Sequence, residues 1–165
     1  MSSCHTLTQH LPNTDLTIAL AGNPNVGKSS LFNRLTGAHA ETANYPGKTV
    51  ALNMGVMQFN DKCIGVIDLP GTYALGAQSE DQQVARQAIL ENPPDVIIAL
   101  ADATNLERNL YLILQYLDLG LPLVIAVNLV DEAARSGITI DTARLARALR
   151  VPVVPTIVTR GNVIN

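Results

Sequence analysis

Lys28 and Ser29 close the segment Gly22-Asn23-Pro24-Asn25-Val26-Gly27-Lys28-Ser29, which meets every fixed position of the phosphate-loop pattern G-x-x-x-x-G-K-[ST]. Each type in it suggests a task. Gly22 and Gly27 let the backbone turn its N–H groups inward, making a nest for an anion at the positive end of the following helix. Lys28 can reach outer phosphates as a point charge, and the Ser29 hydroxyl can ligate Mg²⁺. A glycine-rich turn before a helix is the plainer alternative, and the flanks argue against it. An apolar run, Leu16 to Ala21, stands just before the loop, and Ser30 opens a segment with Leu31, Phe32 and Leu35 at helical spacing and Gly37 as its stop.

Two more clusters carry oxygen and nitrogen chemistry. Asp68-Leu69-Pro70-Gly71 ends an apolar run. The Asp68 carboxylate can hold Mg²⁺, usually through water, and the Gly71 N–H can meet a γ-phosphate. Asn128-Leu129-Val130-Asp131 ends another run as N-x-x-D. A carboxylate at Asp131 can accept from the ring N–H and amine that guanine presents and adenine lacks, and the Asn128 amide can bond the O6/N7 edge. A helix N-cap would use the same residue types. The Lys usual after this Asn is Leu129 here, so leucine methyl groups must cover the base. Thr49, after Gly47 and Lys48, is the candidate to reach the metal from a moving loop when a γ-phosphate draws it in; a threonine that starts a strand would look the same.

The elements that place these residues are legible. Strands are expected over 16–21, 49–59, 62–69, 95–101, 121–127 and 151–157, with Asn60-Asp61 as a hairpin turn. Helices are expected after the phosphate loop and over 80–90, 105–119 and 140–150, the last capped by Asp141. The segment 38–48 is expected to be a loop. Strands separated by helices predict an α/β fold, a mostly parallel six-stranded sheet with one antiparallel edge strand and helices on both faces. Ligands of such sheets lie beyond the carboxyl ends of the strands, where all three clusters fall.

The chain has 165 residues, 47% of them hydrophobic and 15% charged, which suits one folded domain over 15–165. Residues 1–14 are polar, carry His5 and His10, lack the pattern of a secretory signal, and read as a flexible arm. A net charge of −3 gives no electrostatic case for nucleic acid. The two cysteines, Cys4 and Cys63, suggest neither a disulfide framework nor a metal cluster, with Cys63 a small core residue. No run approaches the ~20 apolar residues that span a bilayer.

Together with Asn44-Tyr45-Pro46-Gly47-Lys48-Thr49-Val50, Asp68-Leu69-Pro70-Gly71-Thr72-Tyr73 and Asp102-Ala103-Thr104-Asn105-Leu106-Glu107-Arg108-Asn109-Leu110, the phosphate loop and Asn128-Leu129-Val130-Asp131 make the chain resemble the N-terminal G domain of the ferrous iron transporter B (FeoB) family over about residues 15–161. The resemblance implies a Ras-like P-loop GTPase domain that binds GTP and GDP with Mg²⁺, held by Ser29, Thr49 and Asp68. It implies K⁺ on Asn25 as an activator, with Asn25, Lys28, Thr49 and Gly71 as catalytic groups. Nucleotide contacts are implied at Gly22 to Ser30, at Gly47, Lys48 and Thr49, at Asp68 to Gly71, at Asn128, Leu129 and Asp131, and at Val158, Thr159 and Arg160. Relatives often carry Ser at the Val158 position, so a hydroxyl is lost there. Thr72 stands where many small GTPases have a water-orienting Gln; hydrolysis is therefore expected to be slow, with water held by the Thr49 loop backbone.

The family further implies a membrane domain moving Fe²⁺ as partner in a longer protein, the cytoplasmic face of the bacterial inner membrane as location, and a final helix that this sequence does not reach. It also admits a homo-oligomer. Two other readings stay open. A soluble GTPase of ribosome or tRNA maturation would share the motifs but usually adds a basic RNA-binding module. A nucleotide-binding switch without useful turnover would fit the missing Gln.

Overall fold

The apolar run Leu16–Gly22 forms β1, and its neighbours in the sheet come from distant parts of the sequence. A computed structural model describes residues 14–37, 40–44, 48–76, 78–158 and 162–163. In chain order the elements are β1, α1 (Lys28–Thr36), β2 (Ala40–Asn44), β3 (Ala51–Phe59), β4 (Lys62–Asp68), α2 (Glu80–Glu91), β5 (Val96–Asp102), α3 (Leu106–Asp118), β6 (Leu123–Asn128), α4 (Val130–Arg135), α5 (Thr142–Leu149), β7 (Val153–Ile157) and β8 (Asn162–Val163). The strands lie in the order β2-β3-β4-β1-β5-β6-β7-β8. Strands β4, β1, β5, β6 and β7 run parallel, as the alternation of strand and helix requires.

The expected hairpin is present. β3 and β4 pair antiparallel from Phe59↔Lys62 to Asn53↔Asp68. Asn60 and Asp61 both take positive φ, 48° and 60°, the backbone that lets a two-residue turn follow the strand twist. The sheet is wider than the six strands expected. β2 occupies the segment read as a loop and pairs antiparallel with β3. Its sequence Ala-Glu-Thr-Ala-Asn lacks an alternating apolar face; the pairing with β3, joined by a 2.8 Å bond from Thr42 Oγ1 to Asn53 Oδ1, makes the strand. The two-residue β8 pairs antiparallel with β7. α4 is only six residues long and has no helical period to read.

The pleat of the central strands divides the core in two. Ile18 and Leu20 of β1 and Val66 of β4 meet Phe32 of α1. On the other face Ala19, Ala21, Ile97, Ile125 and Val127 pack with Val84 and Ile89 of α2, Leu112, Ile113 and Tyr116 of α3, and Ala133 of α4. Helices thus cover both faces, as expected from the strand composition. Tyr116 is fully buried, and that burial pushes its phenol well above the usual tyrosine range. Asp141 caps α5, its carboxylate accepting from the Arg144 N–H at 2.8 Å. Cys63 corrects the expectation of a core residue: it is half-buried on β4. Cys4 and the rest of the arm over 1–13 lie outside the described residues.

The registers bring strand ends together. Leu20 of β1 stands beside Asp68 of β4, Gly22 beside Leu100 of β5, and Asp102 of β5 beside Asn128 of β6. One rim of the sheet therefore carries the ends of β1, β4, β5 and β6.

Candidate nucleotide site

The phosphate loop leaves β1 at Gly22 and enters α1 at Lys28. Two of its glycines are required by their surroundings. Gly27 has φ 93°, and a Cβ there would lie 2.4 Å from Asn128 Nδ2. A Cβ on Gly22 would lie 2.7 Å from the Leu100 carbonyl oxygen. Asn25, at φ 65°, takes the left-handed backbone that Asn tolerates better than most residues, and it is exposed. Val26 is buried under the loop against Leu100 and Ala126, while Ser29 and Ser30 are exposed in the first turn of α1. Pro24 stacks against the second cluster, since a Cβ on Gly71 would lie 3.1 Å from Pro24 Cα.

Lys28 Nζ donates to Asp68 Oδ1 at 2.9 Å, and both side chains are at most 10% exposed. The two groups partner each other, because either charge alone would be costly to keep out of water. Leu69 N–H continues the parallel ladder to the Leu20 carbonyl at 3.0 Å, which fixes where Asp68 points. The Thr72 N–H reaches the Gly22 carbonyl at 3.3 Å, tying the loop after Gly71 to the phosphate loop. Two buried oxygens here, Asn23 Oδ1 and Thr72 Oγ1, have no hydrogen-bond partner among the described residues.

Oxygen donors suit Mg²⁺, and the site supplies two candidates, the Ser29 hydroxyl and the Asp68 carboxylate. Among the described residues no group of three or more His, Cys, Asp or Glu side chains could hold a metal alone. The donor set therefore fits a Mg²⁺ that arrives with phosphate oxygens and retains water, not a resident caged metal.

Thr49 is held against the start of α2. Its N–H donates to Glu80 Oε1 at 3.1 Å and its hydroxyl donates to Glu80 Oε2, at the start of α2. Lys48 Nζ donates to Gln83 Oε1 at 2.7 Å, one turn along the same helix. Glu80 was not legible as a site residue. Its only signal was a carboxylate in the first turn after the N-cap Ser79, a place where helices favour acids anyway.

Asn128 is buried, and both ends of its amide are engaged by protein. Nδ2 donates to the Val26 carbonyl at 2.9 Å; Oδ1 accepts from Val158 N–H at 3.0 Å and from Thr156 Oγ1 at 3.3 Å. The residue thus ties the phosphate loop to the segment after β7. Leu129 turns the chain into α4 with φ 62°, a left-handed leucine. Asp131 lies in the first turn of α4 with its side chain 18% exposed, and its Oδ2 accepts from Arg135 Nη2 at 2.9 Å. Val158 is buried at the end of β7. Gly47, Thr159 and Arg160 lie outside the described residues. At the end of β5, Asp102 Oδ1 accepts from both the N–H and the hydroxyl of Thr104, closing a turn into α3.

One rim thus gathers a phosphate loop, a Lys–Asp pair and an N-x-x-D corner. Residues 16–165 match the family model for ferrous iron transport protein B. This chain belongs to the ferrous iron transport protein B family. An Fe(2+) transporter FeoB of Salmonella typhimurium is 46% identical over 150 residues, covering 88% of this chain and 19% of that protein. The chain spans less than a fifth of the length of the curated relatives it matches. The FeoB G domain from Methanococcus jannaschii superposes with TM-score 0.77 at 43% identity, covering 88% of this chain and 87% of that one. The cytosolic domain of the T. maritima FeoB iron transporter in its GMPPNP form gives TM-score 0.84 at 44% identity, covering 87% of this chain and 57% of that one. The fold is the P-loop GTPase fold of FeoB G domains. Among its described residues no helix is long and apolar enough to cross a membrane.

Proposed function

We propose that this chain binds GTP with Mg²⁺, hydrolyses it slowly to GDP, and serves as the nucleotide switch of a longer protein that moves Fe²⁺ across the bacterial inner membrane. The observation that carries the reading is the placement of Thr49 on Glu80. A threonine able to ligate Mg²⁺ is parked on a helix by two hydrogen bonds, so a γ-phosphate that draws it in must release it. A bound γ-phosphate thereby changes the loop over 48–50 and the start of α2 together. In this reading Lys28 and the loop N–H groups hold the phosphates, Ser29, Thr49 and Asp68 hold Mg²⁺, and Asn25 holds a K⁺ that supplies positive charge as it develops demand. Asp131, Asn128, Leu129 and the Val158-Thr159-Arg160 segment surround guanine. The transport domain and any homo-oligomer contact are partners of the longer protein.

The test is phosphate release under multiple turnover, in K⁺ and in Na⁺, with calorimetric titration of GDP and ADP alongside. Expected are GDP binding without an ADP signal, and turnover on the order of 10⁻⁴ to 10⁻² s⁻¹ that rises in K⁺. Equal binding of ADP refutes guanine reading, and equal rates in K⁺ and Na⁺ refute the role of Asn25. A second reading, a switch without useful turnover, draws on Thr72. It is 4% exposed and its hydroxyl is turned into the protein, so no side chain at the Gln position faces a water. A burst of one phosphate per chain with no further release selects it.

A further inference from the structure

We infer that Arg135 is a positioning residue for guanine specificity, acting through Asp131. The inference rests on the reading of Asp131 as the carboxylate that recognises guanine. Arg135 grips Asp131 at two points: Nη2 donates to Oδ2 at 2.9 Å and Nε donates to the Asp131 main-chain carbonyl at 3.2 Å. One contact fixes the side chain and the other fixes the same residue's backbone, so the carboxylate has a set orientation relative to α4. The helix needs that help. Six residues form a marginal helix by themselves, and this one starts from a left-handed leucine. The guanidinium is 66% exposed, whereas the Asp131 side chain is 18% exposed. The charge that guanine would meet is thus sheltered, and the charge that holds it stands outside.

Arg135 occupies one acceptor position of the carboxylate, on Oδ2. Guanine requires two acceptors, for its ring N–H and for its 2-amino group. A freely rotating carboxylate can serve the ring N–H alone in many orientations, but serving both groups requires the plane to be set. Arg135 therefore contributes to the part of the affinity that depends on the 2-amino group. That dependence separates positioning from mere support of the fold.

The experiment titrates the 165-residue chain and its Arg135→Ala and Arg135→Lys variants with GDP and with inosine diphosphate, whose base lacks the 2-amino group. Arg135→Ala is expected to reduce the GDP-over-IDP preference about threefold, with IDP affinity nearly unchanged. Arg135→Lys, which keeps the charge without the two-point grip, restores only part of it. Thermal melting checks that each variant folds. An equal loss for both nucleotides, an unchanged preference, or tighter GDP binding overturns the proposal. Asp131→Asn titrated with xanthosine diphosphate separates this failure from that of the underlying reading. If Asp131→Asn exchanges GDP for XDP, Asp131 reads the base and only the role of Arg135 is at stake. If it does not, the base assignment fails first.

Discussion

Asn128→Ala tests whether the buried amide is a strut of the fold or only a contact for the base. Asn128 is 1% exposed and joins two segments, the phosphate loop through the Val26 carbonyl and the end of β7 through Val158 N–H. Truncation leaves the buried Val158 N–H without its acceptor, at about 1–3 kcal/mol, and removes the bond to Val26, worth about 1 kcal/mol. The Thr156 hydroxyl loses little, since its 3.3 Å contact is long and it retains the Val127 carbonyl at 3.4 Å. The total is about 3 kcal/mol. At about 2–4 °C per kcal/mol for a chain of this size, the melting temperature falls by about 6–12 °C. The assay is thermal unfolding by circular dichroism without nucleotide, so that lost binding cannot contribute. Thr156→Val serves as a comparison and is expected to cost less than about 1 kcal/mol. An Asn128→Ala chain that melts within about 2 °C of the parent, with GDP binding lost, refutes the strut and leaves a base contact alone.

Gly27→Ala sets a Cβ 2.4 Å from Asn128 Nδ2 at φ 93°, so strain and displacement of the Asn128 amide act together; a stability loss of about 2–4 kcal/mol with GDP binding abolished is expected from melting and calorimetry. Glu80→Ala frees Thr49 and raises the affinity for a non-hydrolysable GTP analogue relative to GDP; an unchanged ratio by titration shows that Glu80 does not restrain the loop. The same contact has a pH signature. The Thr49 hydroxyl, and after it the Thr49 N–H, hold the Glu80 carboxyl below its ordinary value of 4.5. A depressed carboxyl contributes fully above that ordinary value and loses its contribution as pH falls through the folded value. The Thr49 amide resonance should therefore be steady from neutral pH down to about 5 and shift only below the ordinary carboxylate range, and a transition near pH 6 refutes the contact.

The placement of the candidate site was legible where a motif needs its residues consecutive. The phosphate loop, Asp68 to Gly71 and Asn128 to Asp131 are short runs at strand ends, and the parallel registers bring those ends to one rim. The hairpin was legible because Asn60-Asp61 suits positive φ at both positions. What was hidden depends on partners far away in sequence. β2 has no face of its own and exists through its pairing with β3. Glu80 meets Thr49 across 31 positions and Asn128 meets Val26 across 102, distances that no local pattern records. The role of Arg135 was hidden differently. Its four-residue spacing from Asp131 looks like any surface ion pair, and only the second contact, to the Asp131 carbonyl, distinguishes it.

In the proposed function, two pairings, Lys28 with Asp68 and Thr49 with Glu80, let one ligand reorganise both loops. Each pair sets a phosphate-side group against a carboxylate of the protein. A phosphate competes with Asp68 for Lys28, and Mg²⁺ competes with Lys28 for Asp68, so the two exchanges compensate: no buried charge is left alone at the end. The exchange at Asp68 requires only phosphate and metal. The exchange at Thr49 requires more, because Glu80 must give up two donors and return to water, and a γ-phosphate with its metal is what can recruit the threonine. A nucleoside diphosphate can therefore satisfy the first pair while leaving the second in place. On that reading the selectivity of the switch for the γ-phosphate resides in Thr49 and Glu80, on the loop and on α2, rather than in the phosphate loop proposed to bind both nucleotides.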